Sequence, residues 1–275
     1  MAHDRTRPNR RALVRTWAVV WVAAATLFGG GVMAAGTAQA STQTDYVALG
    51  DSYSAGVGTR TYDLDSTCQR SSKSYPALWA SRYGTRSFSF TACTGATTQT
   101  VQSGQLGPLN SGTDLVTITA GGNDAGFADV VTACRTSSDA DCFGKLDNAE
   151  SIIRNTLPGR LDSLYGAIRS RAPYARVVVL SYPQLYETGS CFGGIALNRR
   201  QRIDDVGLIM NSTLRDRAQA AGFTFADVDG RFAGHRLCSG TQWLNGPSIP
   251  LSDSYHPNVD GHASGYLPTL SALVQ

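Results

Sequence analysis

Short apolar runs alternate along this chain with longer stretches of helical periodicity. Tyr46-Val47-Ala48-Leu49 ends in a glycine, Phe88-Ser89-Phe90-Thr91 is a second run, and Leu115-Val116-Thr117-Ile118-Thr119 a third, again followed by glycines. Arg176-Val177-Val178-Val179-Leu180 is the clearest, and Phe223-Thr224-Phe225-Ala226-Asp227 completes the series. Continuous apolar runs of this length suit strands buried on both faces, as in a parallel sheet. Between Ala149 and Ile168, apolar residues recur at threes and fours (Ile152, Ile153, Leu157, Leu161, Leu164, Ile168), interrupted by Pro158. That proline predicts either a bend or two shorter helices. A second amphipathic stretch runs from Ile195 to Ala221, with Ile203, Val206, Ile209, Met210 and Leu214 on one side. Strands alternating with helices imply right-handed βαβ units and a three-layer α/β fold. No repeat, linker or low-complexity segment divides the chain, so one domain is predicted.

The first forty residues follow another pattern. Arg5, Arg7, Arg10, Arg11 and Arg15 form a basic head, an apolar run extends from Trp17 to Ala35, and Thr37-Ala38-Gln39-Ala40 supplies small residues. This is the layout of a secretory signal peptide cleaved after Ala40. A permanent membrane anchor is the rival reading, but Gly29, Gly30 and Gly31 interrupt the run. Asn9-Arg10-Arg11 is a weak twin-arginine signal, so the export route stays open. Setting residues 1–40 aside takes five arginines and Asp4 from 24 basic and 21 acidic residues. That leaves 19 against 20, a formal net charge of −1. Without a basic stripe interleaved with aromatics, nothing points to a nucleic-acid partner. The remaining 235 residues suffice for one domain with a full core.

All six cysteines (Cys68, Cys93, Cys134, Cys142, Cys191 and Cys238) lie in that remainder. An even number in an exported chain reads as disulfides. Zinc is the competitor, but no Cys-x-x-Cys pair occurs and the closest two cysteines are eight apart. Six cysteines allow ~15 pairings, and the sequence by itself does not choose among them.

The chemistry gathers at the ends of the predicted strands. Gly50-Asp51-Ser52-Tyr53-Ser54 follows the first, where ligands bind in open parallel sheets. A serine in that turn projects its hydroxyl into the crevice near helix N-terminal amides. On its own, the motif is equally well explained by Asp51 or Ser52 capping a helix. Cys93-Thr94-Gly95-Ala96 after the second strand offers a glycine N–H, and Gly121-Gly122-Asn123-Asp124 after the third offers a side-chain amide. Asp253-Ser254-Tyr255-His256-Pro257 supplies an imidazole near the end of the chain. A nucleophile, a base and two oxyanion donors are what acyl transfer requires. His235 and His262 lack such context and read as structural, and Asp51 and Asp124 read as groups that fix the turns. No metal cluster is visible.

These residues resemble the SGNH hydrolases, also called GDSL lipases. Gly50-Asp51-Ser52 is similar to the first family block with Tyr53 in place of leucine, Gly95 to the second, Gly121-x-Asn123-Asp124 to the third and Asp253-x-x-His256 to the fifth, in family order. The cysteine pattern and the phrases around the blocks are most similar to actinobacterial secreted lipases, esterases and phospholipases A1. The resemblance implies a flavodoxin-like fold with a central, mainly parallel five-stranded sheet, no cofactor, and disulfides between sequence neighbours. The pairs would be Cys68–Cys93, Cys134–Cys142 and Cys191–Cys238. Arg135 to Asp141 would then be a short polar loop. It further implies Ser52 as nucleophile, His256 as base, and an oxyanion hole of the Ser52 and Gly95 N–H groups with the Asn123 amide. Asp253 is expected to orient His256, with the Ser254 carbonyl as competitor.

The function so implied is a secreted, monomeric carboxylic-ester hydrolase with an acyl-ester or lipid substrate, and transient contact with a lipid surface stays open. Tyr53, Tyr62, Tyr75, Trp79, Phe127 and Trp243 are available either for an acyl chain or for core packing. A carbohydrate or cell-wall acetylesterase is the alternative on the same fold. A non-catalytic secreted binding module is a third class, against which Ser52, Asn123 and His256 all argue.

Overall fold

The five apolar runs form five short strands that pair side by side with every strand parallel. The structure, a computed structural model, describes residues 43–191 and 194–274. The leader expected over residues 1–40 lies outside them. β1 (Thr44–Gly50), β2 (Thr85–Phe90), β3 (Leu115–Thr119), β4 (Arg176–Leu180) and β5 (Thr224–Ala226) pair in the order β2-β1-β3-β4-β5. This is the flavodoxin-like strand order. Every residue of β3 is buried, which is why its sequence shows no polar alternation. The second and fifth runs are displaced from the sequence reading: β2 begins three residues earlier than Phe88, and β5 keeps only Thr224–Ala226.

The connections between strands are helical. They are α1 (Ser52–Ala55), α2 (Tyr75–Tyr83), α3 (Thr98–Gly104), α4 (Phe127–Thr136), α5 (Asp139–Asn155), α6 (Leu157–Arg171) and α7 (Leu197–Ala220), while α8 (Asp229–Phe232) and α9 (Leu267–Val274) follow β5. Of the two outcomes open at Pro158, two helices is the one observed. The proline sits in the first turn of α6, where its missing N–H costs no helical bond. Ile153, Leu157, Leu161, Leu164 and Ile168 are buried as the periodicity requires, and so are Ile203, Val206, Met210 and Leu214 of α7.

Three disulfides join Cys68 to Cys93, Cys134 to Cys142 and Cys191 to Cys238. The segment from Arg135 to Asp141 is not the polar loop expected. α4 runs to Thr136 and α5 starts at Asp139, so Ser137 and Ser138 alone connect them. Ser138 caps α5 by accepting from the Asp141 N–H. Cys68–Cys93 matters more for the site, because it ties the loop after α1 to the strand end that carries Gly95. The Thr94 N–H donates to the Cys68 carbonyl at 3.0 Å beside it.

The strand order reverses at β1. The chain leaves β1 for β2 on one side and returns to β3 on the other, opening a crevice at the carboxyl ends of β1 and β3. Ser52 and Asn123 both follow these ends.

Candidate active site

Ser52 is the first residue of α1 and is held from several directions. Gly50 has φ +125°, and a Cβ there would lie 2.4 Å from the Thr119 carbonyl, so only glycine lets β1 run this close to β3. Gln105 grips Gly50 at both ends, its Oε1 accepting the N–H and its Nε2 donating to the carbonyl, each at 2.8 Å. Asp51 caps α1 by accepting from the Tyr53 N–H at 3.0 Å. Its other oxygen accepts from the Tyr182 hydroxyl. Burial pushes the Asp51 carboxyl up to about 7, against the lowering effect of the Tyr182 bond.

His256 reaches Ser52 from 204 residues away in sequence, with Nε2 and Ser52 Oγ 2.7 Å apart. Its Nδ1 lies 3.0 Å from the Ser254 carbonyl. A carbonyl only accepts, so Nδ1 carries the hydrogen and Nε2 presents its lone pair to the serine hydroxyl. Burial pushes the imidazole down to about 4, opposed by the Ser254 bond and the field of Asp253. The ring is therefore neutral across the pH range where a general base is needed.

The expected pairing of Asp253 with His256 is corrected here. Asp253 ends a single 3-10 turn (Leu251–Asp253), and its Oδ1 accepts from the Tyr62 hydroxyl. Arg60 Nε lies 3.6 Å from its other oxygen. The cause is a left-handed residue between the two: Tyr255 has φ 64°, which folds the imidazole back over the Ser254 carbonyl. Asn245 braces that turn, accepting from Tyr255 N–H at 2.8 Å and donating to the His256 carbonyl at 2.9 Å.

Ser52, Gly95, Asn123 and His256 line one groove. Asn123 Nδ2 gives one hydrogen to the Ala96 carbonyl at 2.9 Å, which orients the amide and leaves its second hydrogen for a ligand. Gly95, with φ 73°, has an N–H that meets no acceptor among the described residues. The Ser52 N–H is a first-turn helical donor without an intrahelical partner. Asp124 does not face the groove. It accepts from Thr98 N–H and Oγ1 at 2.8 and 2.7 Å and from Arg160 at 3.1 Å, fixing the turn. His262 is fully buried and accepts from Tyr75 N–H at 3.2 Å, and His235 stacks on Trp243 at 3.8 Å. Both are structural. Among the described residues no three His, Cys, Asp or Glu side chains are grouped to hold a metal ion.

Two features escaped the sequence reading. Tyr182 bridges the strand ends: its hydroxyl donates to Asp51 and accepts from the Gly122 N–H at 3.0 Å. Asn211 holds its backbone at both N–H and carbonyl, at 3.1 and 2.7 Å. The signal was present, since Tyr182 follows the clearest strand at the sheet edge that marks Ser52 and Asn123. The second is an apolar channel running from Ser52 and Asn123 between α4, α5 and α7, walled by Phe127, Val130, Leu146, Ile153, Val206 and Met210. Of the aromatics considered for an acyl chain, Tyr53 and Phe127 line this channel. Tyr75 and Trp79 belong to the core.

Residues 48–264 match the model of the GDSL-like lipase/acylhydrolase family. A lipase of Streptomyces rimosus is 48% identical over 268 residues, covering 97% of this chain and 99% of that protein. The crystal structure of an extracellular lipase from Streptomyces rimosus superposes with a TM-score of 0.82 at 51% identity, covering 83% of this chain and 99% of that one. That of phospholipase A1 from Streptomyces albidoflavus NA297 gives 0.81 at 47% identity, covering 82% and 98%.

Proposed function

The chain belongs to the GDSL-like lipase/acylhydrolase family and is a carboxylic-ester hydrolase, and from that premise we propose that it is an exported enzyme cleaving aliphatic acyl esters of lipids through an acyl-enzyme on Ser52. The observation that carries this reading is the 2.7 Å bond between Ser52 Oγ and His256 Nε2 at the end of an apolar channel. Ser52 Oγ attacks the ester carbonyl as His256 Nε2 takes its proton. The carbonyl oxygen, now negative, is received by the N–H groups of Ser52 and Gly95 and the Asn123 amide. Each such donor contributes ~2.7–4 kcal/mol to the transition state. His256 then protonates the leaving alcohol, and water repeats the sequence to free the acid. Orientation of the imidazole falls to the Ser254 carbonyl, so proton transfer is the work of a Ser52–His256 dyad.

The aliphatic lining of the channel supports an apolar acyl group beside Ser52. Export is supported by the leader pattern over residues 1–40 and by three disulfides, which persist in oxidising compartments. The test is Ser52→Ala. We expect it to keep fold and disulfides, to lose fluorophosphonate labelling, and to lose at least ~10⁴-fold in turnover on p-nitrophenyl esters and on phospholipids. Turnover near that of the parent in a clean preparation would overturn the assignment.

A further inference from the structure

We infer that the rim of the active-site groove is a docking surface for an anionic phospholipid bilayer, with Ile249 and Leu251 entering its apolar layer and Arg60 and Arg135 holding lipid phosphodiesters. The two most exposed aliphatic side chains among the described residues are Ile249 at 92% and Leu251 at 80%. Scattered exposed leucines are ordinary. These two are not scattered: both stand on the lip that leads into Ser254 and His256, and both line the groove that holds Ser52. Pro247 and Ser248 continue the same lip.

Charge selects the partner. Arg60 and Arg135 line this groove, and no carboxylate does. Residues 41–275 carry 19 basic against 20 acidic side chains, so the mouth is positive on a chain that is close to neutral. Arg135 forms no ion pair among the described residues, and Arg60 keeps a 60% exposed side chain while its Nε lies 3.6 Å from buried Asp253. Aliphatic tips flanked by guanidinium groups match a surface that is apolar beneath and phosphodiester-lined above. Docking in this pose would bring an ester at the bilayer surface to Ser52 and its acyl chain to the channel behind. This deepens the lipid-ester reading and rests on it, but its test requires no turnover.

The experiment uses the Ser52→Ala protein, so that vesicles stay intact, and measures partition by flotation with vesicles of phosphatidylcholine alone or with added phosphatidylglycerol. We expect tighter binding to the anionic vesicles. Ile249→Ser with Leu251→Ser should weaken binding to both compositions by about tenfold or more. Arg60→Gln with Arg135→Gln should remove the anionic preference, about fivefold per arginine, and raised salt should do the same to the parent. Inorganic phosphate at matched ionic strength should not compete, as the partner is a bilayer and not a free anion. Circular dichroism and thermal unfolding check that the variants fold. Parent-like binding by the Ile249/Leu251 double variant, no binding by the parent, or competition by phosphate would each overturn the proposal. The ester-hydrolase reading would survive any of these, because Ser52→Ala turnover tests it separately.

Discussion

Ser52 opens a helix just beyond a central strand and His256 lies on an irregular segment, yet the two meet at 2.7 Å. The serine inherits its place from β1, a central strand paired on both sides, and from a glycine that nothing larger can replace. The histidine is held by a few local bonds: Asn245 braces Tyr255 and His256, the Leu244–Pro257 bridge closes the segment, and the Tyr53 hydroxyl donates to the Tyr255 carbonyl at 2.6 Å. One side is positioned by hydrogen-bonded strands, the other by a few specific loop bonds. In the mechanism proposed above, sheet-side groups therefore serve the oxyanion through rigid geometry. On the loop side, what matters is which backbone atom faces the imidazole.

The strongest test of that contrast short of removing the nucleophile is Asn123→Ala. Its amide is oriented by a single bond to the Ala96 carbonyl, and the proposed mechanism assigns its second hydrogen to the oxyanion. We expect kcat to fall ~10²–10³-fold, because one donor is lost from the transition state. KM should change little, since the ground-state carbonyl leans on it less. Steady-state kinetics on a soluble ester checks this, and a loss below tenfold would mean the Ser52 and Gly95 N–H groups carry the oxyanion without it.

The same contrast explains what could be read from the residues alone. Ser52, Gly95 and Asn123 each follow an apolar run, so a strand pattern and a turn signal suffice to locate them at one sheet edge. The fold was legible for the same reason: buried parallel strands and helical threes and fours are local patterns. The partner of His256 Nδ1 was not legible, because spacing puts Asp253 and Ser254 equally within reach. The choice depends on one left-handed residue, Tyr255, a conformation that a bulky side chain rarely adopts and no residue type announces. Tyr182 was overlooked because its place after a strand marks the sheet edge but not what its hydroxyl will meet there. Its role arises only when β4 lies beside β3 and brings its hydroxyl to Asp51 and Gly122. The channel was hidden for a further reason: α4, α5 and α7 show which faces are apolar but not that those faces leave a gap beside Ser52.

Tyr182→Phe asks whether the sheet-side network reaches the chemistry. The hydroxyl joins the cap of α1 to the loop carrying Asn123, so its loss frees both Asp51 and the Gly122 N–H. As a positioning residue it should act on kcat, about tenfold, with KM within about twofold. The affinity of a boronic-acid transition-state analogue should fall in parallel. A variant that merely unfolds at lower temperature, with kcat intact, would show the network to be structural only.

The smallest effect is expected at the residue that the motif spacing marked most plainly. Where a carboxylate orients the catalytic histidine, exchanging Asp for Asn lowers turnover by ~10⁴, because the ring takes the wrong tautomer. Here the Ser254 carbonyl holds Nδ1–H, and a backbone carbonyl is untouched by the exchange. Asp253→Asn keeps an oxygen to accept from the Tyr62 hydroxyl, so the side chain can remain in place. What disappears is a negative charge near the imidazolium that forms during proton transfer, and Arg60 already offsets part of that field. We therefore expect kcat to fall by about tenfold or less, with the unfolding temperature measured alongside to separate chemistry from stability. His256→Ala, assayed in the same series, should be nearly inactive and fixes the scale. A loss of ~10³-fold or more in Asp253→Asn, at unchanged stability, would return the carboxylate to the proton-transfer machinery and overturn the dyad.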